Sequence, residues 1–230
     1  YDYYYMFSIG AEQKMGSYSL AGDYYLDDWK FGFYVSPFHH ISRLPIDDPE
    51  FPMELPANPK DKQILPVEDP LEFAGDITKS FDSGDITLSY FNGYDRSFSP
   101  LGFNVWDNAA NNASEVKIDT IFSYRKTEVL GLGGVAFLGD VTLRADVAYF
   151  TTKDRDVNLV EIEYRGNDLT EYFIENVYTD IRENDSEKFN AHASYYQANL
   201  QFEYTLPYDI QITGQYMAYD TLQYKDDLGF

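Results

Sequence analysis

His39 and His40 stand side by side, with Asp47, Asp48 and Glu50 a few residues on. Imidazole and carboxylate are the common metal ligands and proton carriers, so this stretch is the first place to look for chemistry. The spacing argues against it. Neighbouring side chains on an extended backbone point to opposite sides, and no metal-site spacing is present, so a surface His pair is the expectation. Oxygen-rich runs at IDDPE (46–50), VEDP (67–70), DNAANNAS (107–114) and RENDSE (182–187) would suit calcium. The glycine-containing loop that wraps that ion is missing, and solvated acidic loops are the simpler reading.

Nucleophilic chemistry fares no better. Serines, histidines and aspartates are present, but no nucleophile elbow surrounds any Ser. The GLGG run at 131–134 sits in a strand pattern with no helix after it, so it is not a phosphate loop, and its glycines suit close strand packing or a bend. Cysteine is absent, which removes disulfides and thiolates. The sequons NAS (112–114) and NDS (184–186) carry little weight on their own. The expectation is a protein that is not an enzyme and holds no cofactor and no metal.

The elements that carry these residues are strands. In GDVTLRADVAYF (139–150), Val141, Leu143, Ala145, Val147 and Tyr149 alternate with Thr142, Arg144, Asp146 and Ala148. Such a strand has one apolar and one polar face. In a water-soluble sheet the apolar face is inside, and in a membrane barrel it meets lipid while the charges face the lumen.

Composition narrows the choice. The 230 residues fit one all-β domain, with an apolar share of 44%, enough for an ordered chain. There are 22 Tyr and 17 Phe against 2 Trp, and so many phenols favour boundaries between apolar and wet surroundings over a dry core. A formal net charge of -22 repels phosphate and excludes nucleic acid as a partner. No run of about 18 apolar residues offers a membrane helix, and no basic-then-apolar start marks a signal peptide. Polar-side mean hydropathy is no bar to a membrane barrel, since half of each strand is polar.

Turn signals divide the chain into four strand pairs. SYSLAGDYY and KFGFYVSPF join at Leu26–Trp29; LEFAGDITKSF and ITLSYFNGYD join through DSGD at 82–85. KIDTIFSYRKTEVLGLGGVAF and VTLRADVAYFT join at Leu138–Asp140; ASYYQANLQFEYT and IQITGQYMAYD join through LPYD at 206–209. Between pairs lie long connections at Phe38–Pro70, Arg96–Glu115 and Thr152–Asn190. Loops beyond about 15 residues are uncommon in compact soluble domains, and here they take every second connection. Sorting loop length by end is the habit of transmembrane barrels, with short periplasmic turns and long extracellular loops. The first sixteen residues fit either an extension of the first strand or a separate strand and turn.

Alternation also assigns the faces. Ala198, Leu200, Phe202 and Tyr204 alternate with Asn199, Gln201, Glu203 and Thr205. The lumen-lining candidates are Asp23, Lys30, Glu72, Asp76, Lys117, Asp119, Arg144, Asp146, Gln201, Glu203, Gln211 and Gln215. Arg144 and Asp146, two apart on one face, are expected to neutralise each other. Seven of the ten prolines fall between Ile41 and Pro70. Such spacing favours extended chain without internal hydrogen bonds. That loop, 38–70, reads either as a cap or constriction folded into a barrel mouth or as an external loop stiffened against proteolysis.

The segment GDITLSYFNGYDRSF (84–98), preceded by the Pro-rich loop and LEFAGDITKSF, resembles a group of Gram-negative outer-membrane porin-like barrels of poorly defined function, similar in style to alginate-export porins. GDVTLRADVAYF and NLQFEYTLPYDIQITGQYM resemble its later hairpins, so the likeness spans Leu71 to Tyr219. It implies a bacterial outer-membrane location and either passive transport or a place in a larger assembly, and it brings no catalytic residue. Members of that group are longer, so the chain is expected to be a whole barrel or part of one.

The expectation is therefore an all-β chain: an antiparallel transmembrane β-barrel, or a fragment of a larger one, forming a single domain over 1–230. Its function would be a channel for small polar or cationic solutes. The expected partners are outer-membrane lipid, those solutes, and other outer-membrane or periplasmic subunits. A structural or assembly barrel is the alternative, and a soluble carbohydrate-binding all-β domain using exposed Tyr is the second.

Overall fold

A computed structural model describes residues 2–3, 14–15, 18–41, 59, 63–108, 116–156 and 181–225, with side chains at 2–3, 14–15, 104–108, 116–119, 181–187 and 209 left aside. The described elements are strands β1 (Asp2–Tyr3), β2 (Lys14–Met15), β3 (Leu20–Leu26), β4 (Trp29–Ser36), β5 (Glu72–Phe81), β6 (Gly84–Asn108), β7 (Val116–Leu138), β8 (Val141–Lys153), β9 (Ile181–Lys188), β10 (His192–Leu206) and β11 (Ile210–Lys225). A 3-10 turn at Pro207–Asp209 joins the last two.

All ladders between the described strands are antiparallel. β1 and β2 pair with each other, and the main sheet runs β11-β10-β8-β7-β6-β5-β4-β3, with β9 added to β6. The architecture is all-β, with no α-helix among the described residues. The predicted hairpins are found, and their turns explain why. Leu26–Trp29 turns through Asp27 at φ 50°, and Leu138–Val141 turns through Gly139 at φ 64°. Two-residue hairpin loops need such positive φ to match the twist of the strands they join. At the β5–β6 turn, a Cβ on Gly84 would stand 2.0 Å from the carbonyl oxygen of Val135, so only glycine fits there.

Because neighbouring strands alternate in direction, the four hairpin turns share one edge of the sheet. The three remaining connections share the other, called here the mouth.

Two expectations need correction at the mouth. The connection placed at Arg96–Glu115 is largely strand: β6 and β7 are 25 and 23 residues long and stay paired out to Asp107 and Val116. Within the connection placed at Thr152–Asn190, β9 pairs with the outer half of β6, from Gly102 to Asn108. The outer edge of β7 also gains a neighbour, since Ile64 bridges Phe122 in parallel and the Leu65 amide donates to the Phe122 carbonyl at 2.8 Å. β6 and β7 thus form a ribbon beyond the mouth that both long connections grip. β11 likewise runs on to Lys225, past the predicted end at Asp220.

Register gives the sheet two unlike faces. Tyr24, Phe31, Ile77, Leu88, Leu132, Val147, Ala198 and Ala218 form one unbroken row across eight strands. The adjacent row, on the opposite face, is Asp23, Gly32, Asp76, Ser89, Gly131, Ala148, Gln197 and Tyr219. The apolar face lies open: Phe33, Ile86, Leu130, Leu132, Leu200 and Ile212 are all exposed. Among the described residues the buried apolar cluster is Leu65, Leu101 and Ile121, all at the mouth.

Candidate functional site

The polar face is layered. Nearest the turns, Asp85, Arg144, Gln201 and Gln215 share the face with Glu203, one step further along its strand, and Gln211, two steps further along its own. Amides and acids are laced together here. Gln201 Nε2 donates to Glu203 Oε1 at 2.8 Å, Gln211 Nε2 reaches Glu203 Oε2 at 3.4 Å, and Gln215 Nε2 donates to Asn199 Oδ1 at 2.9 Å. Arg144 stands 4.0 Å from Glu203, so its ion pair is with that carboxylate and not with Asp146 as expected. On the β3 side, Lys30 Nζ lies 3.2 Å from Asp23 and 3.7 Å from Asp76.

One row toward the mouth the face becomes smooth. Gly131 and Gly133 leave space that neighbours occupy, since a Cβ there would lie 2.5 Å from Ser89 Oγ and 2.3 Å from Asp146 Oδ1. Together they floor a groove of about 930 Å³ whose wall carries Thr87, Arg144, Asp146, Gln197 and Asn199. Hydroxyls, amides and charges of both signs share this lining with Leu132, Val135, Met217 and Tyr219.

Next comes an apolar and aromatic row on the same face: Tyr34, Ala74, Phe91, Val129, Phe150 and Tyr195. Phe150 and Tyr195 stack at 4.7 Å with planes 5° apart. Beyond it lies a sealed row, with Ser36, Glu72, Thr127, Thr152 and Ala193 all buried. On this polar face the groove is open near the turns and the mouth is packed.

The mouth is held by buried charges. Glu72 has no exposed surface, and Arg96 donates to both its oxygens at 2.7 Å. His39 Nδ1 lies 2.8 Å from Glu72 Oε1, and the Tyr94 amide donates to the same oxygen at 3.3 Å. Arg96 reaches this position through a bulge. Tyr94 pairs with Lys126 and Phe98 with Tyr124, so Asp95, Arg96 and Ser97 stand opposite the single residue Arg125. Bulges re-aim side chains and cluster beside functional sites. Asp95 accepts from Thr127 Oγ1. Arg125 Nε donates to Asp154 Oδ1 at 2.9 Å, and the Ala191 amide donates to Asp154 Oδ2 at 2.7 Å.

Other contacts tie the connections to each other. Arg155 donates to the Pro66 carbonyl at 2.6 Å and stands 3.5 Å from Glu68. Lys188 lies 2.9 Å from Asp156 and holds that carboxyl below its usual range. The Phe189 amide donates to the Leu101 carbonyl at 2.9 Å.

The predicted residues sort accordingly. Asp23, Lys30, Asp76, Arg144, Asp146, Gln201, Glu203, Gln211 and Gln215 share the polar face. Glu72 shares it too but is sealed under the mouth, so it anchors structure and does not line a wet surface. Lys117 and Asp119 pair through their backbones with Trp106 and Asn104 in the outer ribbon, and their side chains lie outside the described residues. His39 is no surface residue: its side chain is 4% exposed. Most of the Pro-rich loop also lies outside the described residues, while its end, 63–70, docks on β7. Arg96, Arg125 and Asp154 were missed because their partners are far apart in sequence. The one local signal was the adjacent Asp95–Arg96 pair, which breaks the alternation of β6.

Comparison of the chain with protein-family models, with curated proteins and with solved structures gives no match.

Proposed function

We propose that this chain is an outer-membrane β-barrel, or part of one, whose polar face lines a channel for small polar or cationic solutes. The observation that carries the reading is the unbroken apolar row across eight strands, exposed on six of them, backed on the other face by the glycine-floored groove. Water penalises such a face, at about 1.5–3 kcal/mol for each large side chain left exposed, and monomeric soluble proteins rarely show apolar patches beyond a few hundred Å². Lipid removes the penalty.

The proportions support the same reading. Tyr149 and Val141 bound the apolar face of β8, and Tyr196 and Tyr204 that of β10. Eight steps at about 3.3 Å give about 26 Å along the strand, about 20 Å once tilted, close to the height of a membrane barrel's apolar band. Phe33, Tyr90, Tyr149 and Tyr196 share one row near the mouth, and Trp29, Phe81 and Tyr204 lie near the turns, where interfacial rings belong. Seven antiparallel ladders separate β3 from β11, so these strands run in opposite directions and suit closure by a further antiparallel ladder. Exposed backbone edges are not tolerated in lipid, which makes that closure, or added strands, a requirement of the reading.

The packed mouth favours a second reading, a structural or assembly barrel that conducts little. Recording from the purified protein in planar lipid bilayers separates the two. Discrete conductance steps are expected. An inserted barrel that never conducts would move the assignment to the structural role, and a protein that stays monodisperse without detergent would end both.

A further inference from the structure

On the apolar face, beyond the row of Tyr90, Tyr149 and Tyr196, two more rows follow toward the mouth. The first is Asn92, Glu128, Thr151, Ser194 and Gln223, and the second is Tyr94, Lys126, Lys153, His192 and Lys225. The second row is basic on four neighbouring strands, β7, β8, β10 and β11, in a chain whose acids outnumber its bases by 39 to 17. Lys126 stands directly opposite Lys153, and His192 opposite both Lys153 and Lys225. With strands about 4.8 Å apart, the four residues fall within about 15 Å.

Like charges directly across a ladder repel, and the fold supplies no counter-charge. Among the described residues, no carboxylate is paired with Lys126, Lys153, His192 or Lys225. Glu128, one row nearer the apolar band, accepts from Asn92 Nδ2 at 3.0 Å, and Asp220 lies two rows nearer, opposite Tyr196. The turn end of the same face is different, because there Lys79 lies 2.9 Å from Asp28.

Position points to the missing partner. Four residues separate Tyr149 from Lys153, about 13 Å along the strand and about 10 Å once it is tilted. Aromatic rows sit at the headgroup level of a membrane, so the basic row stands on its outer side, where lysine stems lean back toward headgroup phosphates. Lys153 and Lys225 are exposed, and Lys126 and His192 are half-buried.

We propose that Lys126, Lys153, His192 and Lys225 form a binding row for the phosphate groups of anionic lipids in the leaflet at the mouth. The proposal rests on the reading that the apolar face meets lipid, and it adds a lipid class that this face selects.

The test places a fluorophore at Thr151→Cys, between the aromatic and basic rows, in a chain with no other cysteine. The labelled protein is inserted into phosphatidylcholine vesicles, and insertion is checked by co-flotation. Phosphatidic acid with brominated chains is then added, with brominated phosphatidylcholine as the control for depth. Quenching is expected to show phosphatidic acid enriched at the label by at least about tenfold, and each of Lys126→Gln, Lys153→Gln and Lys225→Gln to lower that preference by up to about fivefold. Lys153→Arg should restore it, and Lys79→Gln, at the turn end, should leave it unchanged. Millimolar inorganic phosphate at constant ionic strength should not compete. Equal quenching by the two lipids would overturn the proposal, as would a preference unmoved in the triple glutamine variant, a loss in Lys79→Gln as large as in the row, or abolition by inorganic phosphate, which marks a site for free anions. Each of those results leaves the lipid-facing reading standing, whereas a protein that never co-floats with the vesicles ends both.

Discussion

Arg96 is the residue on which the mouth depends most, because it neutralises a carboxylate that water does not reach. Removing one partner of a buried ion pair leaves the other charged and desolvated, at a cost of about 3–5 kcal/mol. Arg96→Met is therefore expected to lower unfolding stability by that amount, while Glu72→Gln, which deletes the stranded charge, costs less. Denaturant titration of both variants and of the double variant checks this, and an Arg96→Met protein as stable as the parent would refute the buried pair. The turn glycines make a second contrast. Gly139 is at φ 64° with open space around it, so Gly139→Ala should cost about 1 kcal/mol of backbone strain. Gly84→Ala places a methyl 2.0 Å from a backbone oxygen that cannot step aside. A loss above about 2 kcal/mol, or failure to fold, is expected there. Equal losses at the two glycines would contradict the described turn geometry.

At the scale of elements, the four hairpins were legible because alternation and turn chemistry agreed at each of them. The outer half of β6 was not, since Arg96, Pro100 and the run DNAANNAS all read as loop, whereas β7 was read as a strand almost from its observed start at Val116. The structure places Asp95 and Arg96 in one bulge and Leu101, after Pro100, in another, and bulges are where a strand tolerates charges and proline. β9 reads IRENDSEK, with no apolar alternation, and its pairing with β6 comes from across the fold. The polar face was legible from period two alone, but its burial at Glu72 and His39 was not, because burial depends on what the connections bring. The face assignment makes its own prediction. If the apolar face meets lipid, Leu143→Arg or Leu200→Arg should cost about 2–4 kcal/mol of folding stability in vesicles, with Thr142→Arg and Gln201→Arg mild by comparison. The reverse ranking would mean that the apolar face is a protein interior.

At the scale of the molecule, acids outnumber bases by 39 to 17, and Asp23, Asp76, Asp85, Asp146 and Glu203 on the polar face outnumber Lys30 and Arg144. Low-dielectric walls concentrate that field, so any conductance should favour cations, and added salt should weaken the preference as the Debye length shrinks. Anion preference would refute the assignment of the charged face to the lumen. The central claim, that the apolar face meets lipid and the polar face meets water, has a more direct test because the chain holds no cysteine. Single cysteines placed in turn at Ala198, Asn199, Leu200, Gln201, Phe202 and Glu203, each carrying a nitroxide, report their surroundings in lipid vesicles through collision with oxygen or with a water-soluble nickel complex. Oxygen accessibility should peak at Ala198, Leu200 and Phe202 and nickel accessibility at Asn199, Gln201 and Glu203. The opposite phase, or no alternation at all, would contradict it.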